Sequence, residues 1–300
     1  TPSPKILMKA FAEVKPTVIL SVPLILEKIY KKMIQPQISK KPVSWVLKMP
    51  LLDKVVLNKI RETLMDAFGG EFSQIIIGGA PLNAEVEAFL RRIKFPVTVG
   101  YGMTETAPLI SFTPWTEFRS QSCGQVLKGF MNARIANPDA DGVGEIQVRG
   151  ENVMAGYYKN EQATAESFTE DGWLRTGDLG IIDEDGFIYI KGRCKTMLLG
   201  PSGQNIYPEE IEAKINNMPY VLESLVLQKD TKLVALVCPD FEAVDADHLT
   251  QDQLEVVMEE NRKLVNAELA TYEQINEVRV YTHEFEKTPK KSIKRFLYEA

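Results

Sequence analysis

Histidine and cysteine are scarce in this chain of 300 residues: two histidines, His248 and His283, and three scattered cysteines, Cys123, Cys194 and Cys238. No CxxC or HExxH string occurs, which removes the common spacings of structural and catalytic zinc sites. An odd, widely spaced set of thiols is no disulfide framework and fits a reducing, cytoplasmic setting. Positive charge is not in surplus either. Thirty-five Lys and Arg against 41 Asp and Glu leave a net charge of −6, so nucleic acid is not an expected partner. The longest apolar stretch, Val18 to Leu26, is interrupted by Ser21 and Pro23 and is far too short to span a bilayer. Repeats, low-complexity tracts and a Walker A string (GxxxxGK[ST]) are missing, which disfavours a P-loop kinase or NTPase. No basic-then-apolar leader opens the sequence. It begins at TPSPKILMKAF, already inside a helical pattern, and that start leads us to expect a piece of a longer protein.

What is present is the composition of a soluble globular protein, 44% hydrophobic and 25% charged. Three hundred residues are too many for one ordinary core and predict two or three domains.

The pattern along the chain changes twice. Up to residue 111, β and α signals alternate. A β-branched run predicts a strand at Thr17 to Ser21, and LILEKIYKKMI then has helical spacing. Leu51 to Phe68 reads as an amphipathic helix stopped by Gly69 and Gly70. SQIIIGGAP is a strand running into a glycine turn. LNAEVEAFLRRI is a helix with Asn83 as N-cap and Glu85 and Glu87 in its first turn. FPVTVGYGMTE is a further strand entering a loop. Strand, helix and strand in this order predict parallel βαβ units, part of a doubly wound α/β subdomain whose strand C-termini carry the ligand loops. Residues 112–193 read as a small antiparallel β subdomain, with GEIQVRG and GIIDEDGFIYIKG broken by Gly, Asn and Asp turns. Residues 194–300 read as a small α+β domain: helices at EEIEAKINNM and Asp252 to Ala267, strands at SLVLQKD and LVALVCP.

Chemistry concentrates in the loops. In Gly100-Tyr101-Gly102-Met103-Thr104-Glu105-Thr106, two glycines beside an aromatic permit a tight turn next to a flat ligand. Tyr101 can stack on a base, Thr104 offers a hydroxyl, and Glu105 is a hard carboxylate suited to Mg²⁺. The competing reading is a plain strand-end turn with an incidental acid. GGAP at Gly78 to Pro81 brings bare backbone to another strand end. DGWLRTGDLG carries Asp178, a lone carboxylate able to accept from two ribose hydroxyls. Trp173 reads as core packing, and Tyr157 and Tyr158 as braces of the sheet. A basic amphipathic helix from Trp45 to Phe68, with Lys48, Lys54, Lys59 and Arg61, could rest on the inner face of a membrane as a weak peripheral contact; the alternative is an ordinary packed helix.

Taken together, GYGMTE, GEIQVRGENVMAGYY, WLRTGD and GRCKTMLLGPSGQNIYPEEIE, in this order and spacing, resemble the signature of the adenylate-forming superfamily of acyl-CoA synthetases, peptide-synthetase adenylation domains and luciferase. KPTVILSVPLILEKIYKKM and GQNIYPEEIE look most like its long-chain fatty acid CoA ligase branch. The resemblance runs from about Lys15 to the end of the chain and covers the C-terminal portion of such an enzyme. It implies ATP-dependent activation of a fatty acid to acyl-AMP and transfer to coenzyme A, with ATP/AMP, Mg²⁺ and CoA as ligands. It also implies residue roles. Gly79, Ala80 and Pro81 would border adenine, and Tyr101, with Gly102 and Met103, would pack on it. Thr104 would contact phosphate and Glu105 the metal. Asp178 would hold the ribose, with Arg193 nearby. Lys195 would be the hinge of a mobile C-terminal domain, and the turn at Gly203 would approach the pantetheine arm. Loading of a carrier protein, or a non-catalytic nucleotide-binding fragment, are the alternatives.

Two departures stand out. The family's glycine-, serine- and threonine-rich phosphate loop is not in the sequence, and the resemblance places it upstream. Near the end, KTPKKSIKRF puts Ser292 where the family has a lysine. Lys290, Lys291 or Lys294 would have to supply the positive charge that stabilises the transferring phosphate.

Overall fold

The computed structural model describes residues 4–47, 49, 52–288 and 292–299. It divides into two compact units, Thr1–Thr176 with Gly180–Ile190, and Gly177–Leu179 with Lys191–Ala300.

In the first unit, α1 (Pro4–Val14) precedes β1 (Val18–Ser21). The following helical run is α2 (Pro23–Ile29), a π turn over Tyr30–Ile34, and α3 (Gln35–Ile38). The sequence predicted one regular helix here. Pro36 explains the difference: lacking an N–H and clashing with the carbonyl four residues back, it is accommodated by one wider turn, in which the Gln35 amide donates to the Tyr30 carbonyl. The helix expected from Trp45 to Phe68 is likewise two elements, α4 (Lys41–Val46) and α5 (Leu52–Ala67). Lys48 lies outside the described residues. Leu57 and Leu64 of α5 are buried, as in a packed helix.

Next come β2 (Gln74–Ile77), α6 (Ala84–Arg92) and β3 (Val97–Val99). The three strands form a parallel sheet in the order β1-β2-β3, with Ile19 opposite Ile75 and Ile76 opposite Thr98. Asn83 caps α6 as expected, its side chain accepting from the amides of Glu85 (3.0 Å) and Val86 (3.2 Å). Glu87, in the first turn as expected, is 1% exposed. It accepts from the Ser120 hydroxyl (2.7 Å) and the Gln121 amide nitrogen of the side chain (2.7 Å), pinning the 119–122 loop.

β4 (Tyr101–Gly102) pairs with β5 (Leu109–Ser111) in a two-stranded antiparallel ribbon. β6 (Met131–Ala136), β7 (Gly144–Gly150), β8 (Leu174–Ile182) and β9 (Ile188–Arg193) form a four-stranded sheet in sequential order, with α7 (Glu161–Ser167) between β7 and β8. The α/β part and this β-rich part share one apolar core running from Ile19 and Ile75 to Ile146, Leu174 and Ile188.

The second unit carries the hairpin β10 (Leu198–Leu199) and β11 (Asn205–Ile206), then α8 (Pro208–Ile215), β12 (Val221–Lys229), β13 (Lys232–Pro239), α9 (Phe241–Ala246), α10 (Gln251–Asn266) and β14 (Ile275–Val280). The sheet order is β12-β13-β14, antiparallel then parallel. β13 is buried on both faces. Leu233, Ala235 and Val237 enter the core under α8 and α10, while Val234, Leu236 and Cys238 pack with Phe285 on the other side. A capping box of Thr250 and Gln253 starts α10. The C-terminal segment returns to this second face, where Tyr298 meets Tyr281 and Phe285 edge-on.

Candidate functional site

The parallel sheet delivers two loops to one place. Gly78 donates to the Ser21 carbonyl (3.1 Å) and Gly100 to that of Ile77 (2.9 Å), so the chains leaving β2 and β3 turn off side by side. Gly79, Ala80 and Pro81 are exposed there, and Gly79 takes a left-handed conformation (φ +87°). This is the end of a parallel sheet at which bare backbone can meet a ligand.

The 100–108 loop is built tightly around Thr106. Its buried hydroxyl donates to the Pro108 carbonyl (2.7 Å), and the Met103 amide also donates to that carbonyl (2.8 Å). A Cβ at Gly102 would sit 1.8 Å from the Pro108 oxygen, so only glycine closes this turn. Thr104 is left exposed at its crest. Tyr101 is 7% exposed and packs in the core, a burial that the reading of its flat ring did not include.

Glu105 is gripped from the segment after β7. Met154 donates its amide to the Glu105 carbonyl (2.8 Å), and the Tyr157 hydroxyl donates to Oε1 of the Glu105 carboxylate (2.8 Å). That hydrogen bond raises the Tyr157 phenol above its ordinary pKa. The Asn152 side chain donates to the carbonyls of Thr106 (2.5 Å) and Leu109 (2.9 Å), tying the same loops together. Beyond the brace read from the sequence, Tyr157 reaches the Glu105 loop, a contact that sequence reasoning missed together with those of Asn152 and Thr106. The signal was the string ENVMAGYY, which reads as loop until its partner is known.

The donor set bears on the metal. Among the described residues no group of three or more His, Cys, Asp or Glu side chains could cage a cation. A single carboxylate with one oxygen bound to Tyr157 and the other accepting from no described residue fits Mg²⁺, which keeps waters and takes phosphate oxygens as its remaining ligands.

In the second unit, Gly177 (φ +70°) lets β8 turn Asp178 beside the end of β9. Asp178 is 8% exposed at its side chain, and Arg193 Nε lies 3.0 Å from its Oδ1. Lys195 is exposed in the turn that follows, closed by the Met197 amide on the Arg193 carbonyl (3.1 Å). Thr196 of that turn donates to Glu209 (2.7 Å). Gly203 (φ +83°) forms an exposed turn with Gly200 (2.9 Å). Near the C-terminus, Lys287 and Ile293 pair in an antiparallel bridge, and the Thr288 amide donates to the Ser292 carbonyl (2.8 Å). Lys294 Nζ lies 3.2 Å from Glu286. Lys290 and Lys291 lie outside the described residues.

Residues 1–158 match the sequence profile of the AMP-binding enzyme family. The chain belongs to that family. A curated relative, the long-chain-fatty-acid–CoA ligase FadD15 of Mycobacterium bovis, is 33% identical over 266 residues, covering 80% of this chain and 42% of its own length. The chain thus spans about two fifths of that relative. Among solved structures, ATP-bound MatB of Rhodopseudomonas palustris superposes with a TM-score of 0.71 at 25% identity, over 99% of this chain and 52% of MatB. The adenylation domain of a carboxylate reductase of Mycobacterium chelonae gives 0.77 at 22% identity, over 97% of this chain and 46% of its own; it shares the fold. The α/β class read from the sequence is the fold of these adenylate-forming enzymes.

Proposed function

We propose that the complete protein is an AMP-forming fatty acyl-CoA ligase, and that this chain supplies its nucleotide loops and its C-terminal domain. The observation that carries the reading is the Glu105 loop. A carboxylate fixed through one oxygen lies on the loop that follows β3, at the same end of the parallel sheet from which β2 runs into the bare backbone of Gly79, Ala80 and Pro81. The long-chain fatty acid ligases among its relatives support the acyl substrate.

In the first half-reaction the fatty acid carboxylate attacks the α-phosphorus of ATP. The bond to pyrophosphate breaks, and acyl-AMP forms. In the first unit, Gly79 to Pro81 border the adenine and Thr104 contacts phosphate through its exposed hydroxyl; in the second, Asp178 with Arg193 is suited to the ribose hydroxyls. Glu105 would hold Mg²⁺, which when bound neutralises charge on the phosphate oxygens. In the second half-reaction the CoA thiolate attacks the acyl carbon and AMP leaves with its oxygen. A swing of the C-terminal domain about Lys195 brings Gly203 to the pantetheine arm.

The test is pyrophosphate release by the complete protein with ATP, Mg²⁺ and fatty acids of graded length, then mass spectrometry of the thioester formed with CoA. Acyl-CoA is the expected product. Pyrophosphate release without it, but with acylation of a carrier protein, would replace the acceptor. No release with any fatty acid would overturn the reading.

A further inference from the structure

We infer that Tyr157 is a positioning residue for the metal carboxylate: its hydroxyl holds Oε1 of Glu105 and thereby presents the other oxygen, singly, to a divalent cation. The inference rests on the proposed role of Glu105 and goes beyond it by assigning a residue that carries the geometry.

A glutamate on an exposed loop has three rotatable bonds and two equivalent oxygens. Left alone it would chelate a cation with both oxygens or swing into water, and either choice suits the strict octahedron of Mg²⁺ poorly. Partners of liganding groups commonly fix such choices from the second layer. Here the donation at 2.8 Å occupies one oxygen, and the ring that makes it is itself held at its backbone. The Tyr157 amide donates to Thr164 Oγ1 (2.9 Å), and Thr164 Oγ1 donates in turn to the Asn160 carbonyl (2.9 Å). Asn160 caps α7 by accepting from the Ala163 amide (3.0 Å), so a short helix anchors the tyrosine. Gly156, with φ +151° and Thr164 Cγ2 only 2.7 Å from any Cβ it might bear, lets the chain pass under that anchor.

The backbone of Glu105 is fixed from the same segment. The Met154 amide on its carbonyl (2.8 Å) and the Asn152 side chain on the next carbonyl set its main chain while Tyr157 sets its side chain. Tyr158, the neighbouring ring, is 88% exposed and makes no such contact, although the sequence reads the two alike.

The experiment uses Mn²⁺ as a spectroscopic stand-in, titrated by electron paramagnetic resonance into the complete protein with a non-hydrolysable ATP analogue. Tyr157→Phe keeps the ring and removes the donor. We expect Mn²⁺ affinity to fall about tenfold, the equivalent of one hydrogen bond to a charged group. Affinity for the analogue without metal should stay unchanged, as should both affinities in Tyr158→Phe. Glu105→Gln separates the two levels of the argument. If it leaves Mn²⁺ binding intact, the role of Glu105 fails. If it abolishes binding while Tyr157→Phe matches the wild type, the positioning inference alone is overturned. Equal losses of metal-free and metal-dependent binding in Tyr157→Phe would also overturn it, because they would mark a general loosening of the loop. Should Tyr157→Phe unfold, Thr164→Val, which loosens the anchor and leaves the phenol, must lower Mn²⁺ affinity in the same direction or the inference falls.

Discussion

Arg295 closes an ion pair on Glu212 across 83 residues of sequence, fastening the C-terminal segment to α8. The same guanidinium donates to the Val226 carbonyl (3.0 Å) and lies 3.7 Å from Glu209, and the Val226 amide donates back to Glu212 (2.6 Å). Three elements of the second unit, α8, β12 and the last turn of chain, are joined at this one point. Breaking such a partly buried pair from one side costs more than the pair contributes, because the remaining charge is stranded.

The pair predicts a pH dependence of stability. Burial pushes the Glu212 carboxyl up to about 7 from 4.5, with Arg295 and the Val226 amide pulling it down and Glu209 adding to the rise. The folded chain thus keeps a proton that the unfolded chain releases at lower pH. Stability from this group is fully present below about 4.5 and is lost as pH rises through about 7. Glu212→Gln should remove that slope from the melting transition of the second unit between those pH values. Identical slopes in the two proteins would show that Glu212 does not titrate there.

Helix α6 offers a test of local origin. Asn83 accepts from two amides at its start, so Asn83→Ala should lower the stability of the first unit by about 1 kcal/mol in a denaturant titration, and Asn83→Asp by much less. Equal losses would mean that the cap contributes nothing specific.

The elements with local causes were legible in the sequence. β1, β2 and β3 announced themselves by β-branched runs, α6 by its cap, and the parallel order by the helix between the strands. What escaped depends on partners far along the chain. Glu87 looks like any first-turn acid until Ser120 and Gln121 fold against it. Tyr157 is 52 residues from Glu105, and no period or propensity links them. Tyr101 was read for its flat ring, and its packing in the core came from neighbours that the pattern does not announce. β14 escaped for another reason: INEVRV is half polar, and its place is set by pairing with the buried β13.

Two glycines of the site separate space from conformation. Gly102 has no room for a side chain, with the Pro108 carbonyl 1.8 Å from any Cβ. Gly79 has open space around it but a φ of +87°. Gly102→Ala should therefore cost at least about 2 kcal/mol and abolish nucleotide binding. Gly79→Ala should cost about 1 kcal/mol, the strain of a left-handed residue, and weaken binding only partly. Calorimetry with ATP on the two folded variants compares them; equal affinities would contradict the packing argument for the 100–108 loop.

With Ser292 where the family resemblance has a lysine, Lys294 is the candidate among the described residues for the cation proposed to serve adenylation. Its ammonium is 3.2 Å from Glu286, which is 68% exposed at its side chain. An ion pair this open holds by no more than about 1 kcal/mol, so it yields readily to a phosphate. A serine at 292 offers no charge, and a flexible ammonium two positions on can swing from one partner to the other. Lys294→Met in the complete protein should slow pyrophosphate release more than tenfold, about 1.4 kcal/mol or more of transition-state stabilisation. Thioester formation from preformed acyl-AMP should proceed at its normal rate. Adding Ser292→Lys to that variant should restore most of the lost rate by returning a cation to the position where the family resemblance has one. If Lys294→Met is as fast as the wild type, its charge plays no part in adenylation and the ammonium must come from Lys290 or Lys291.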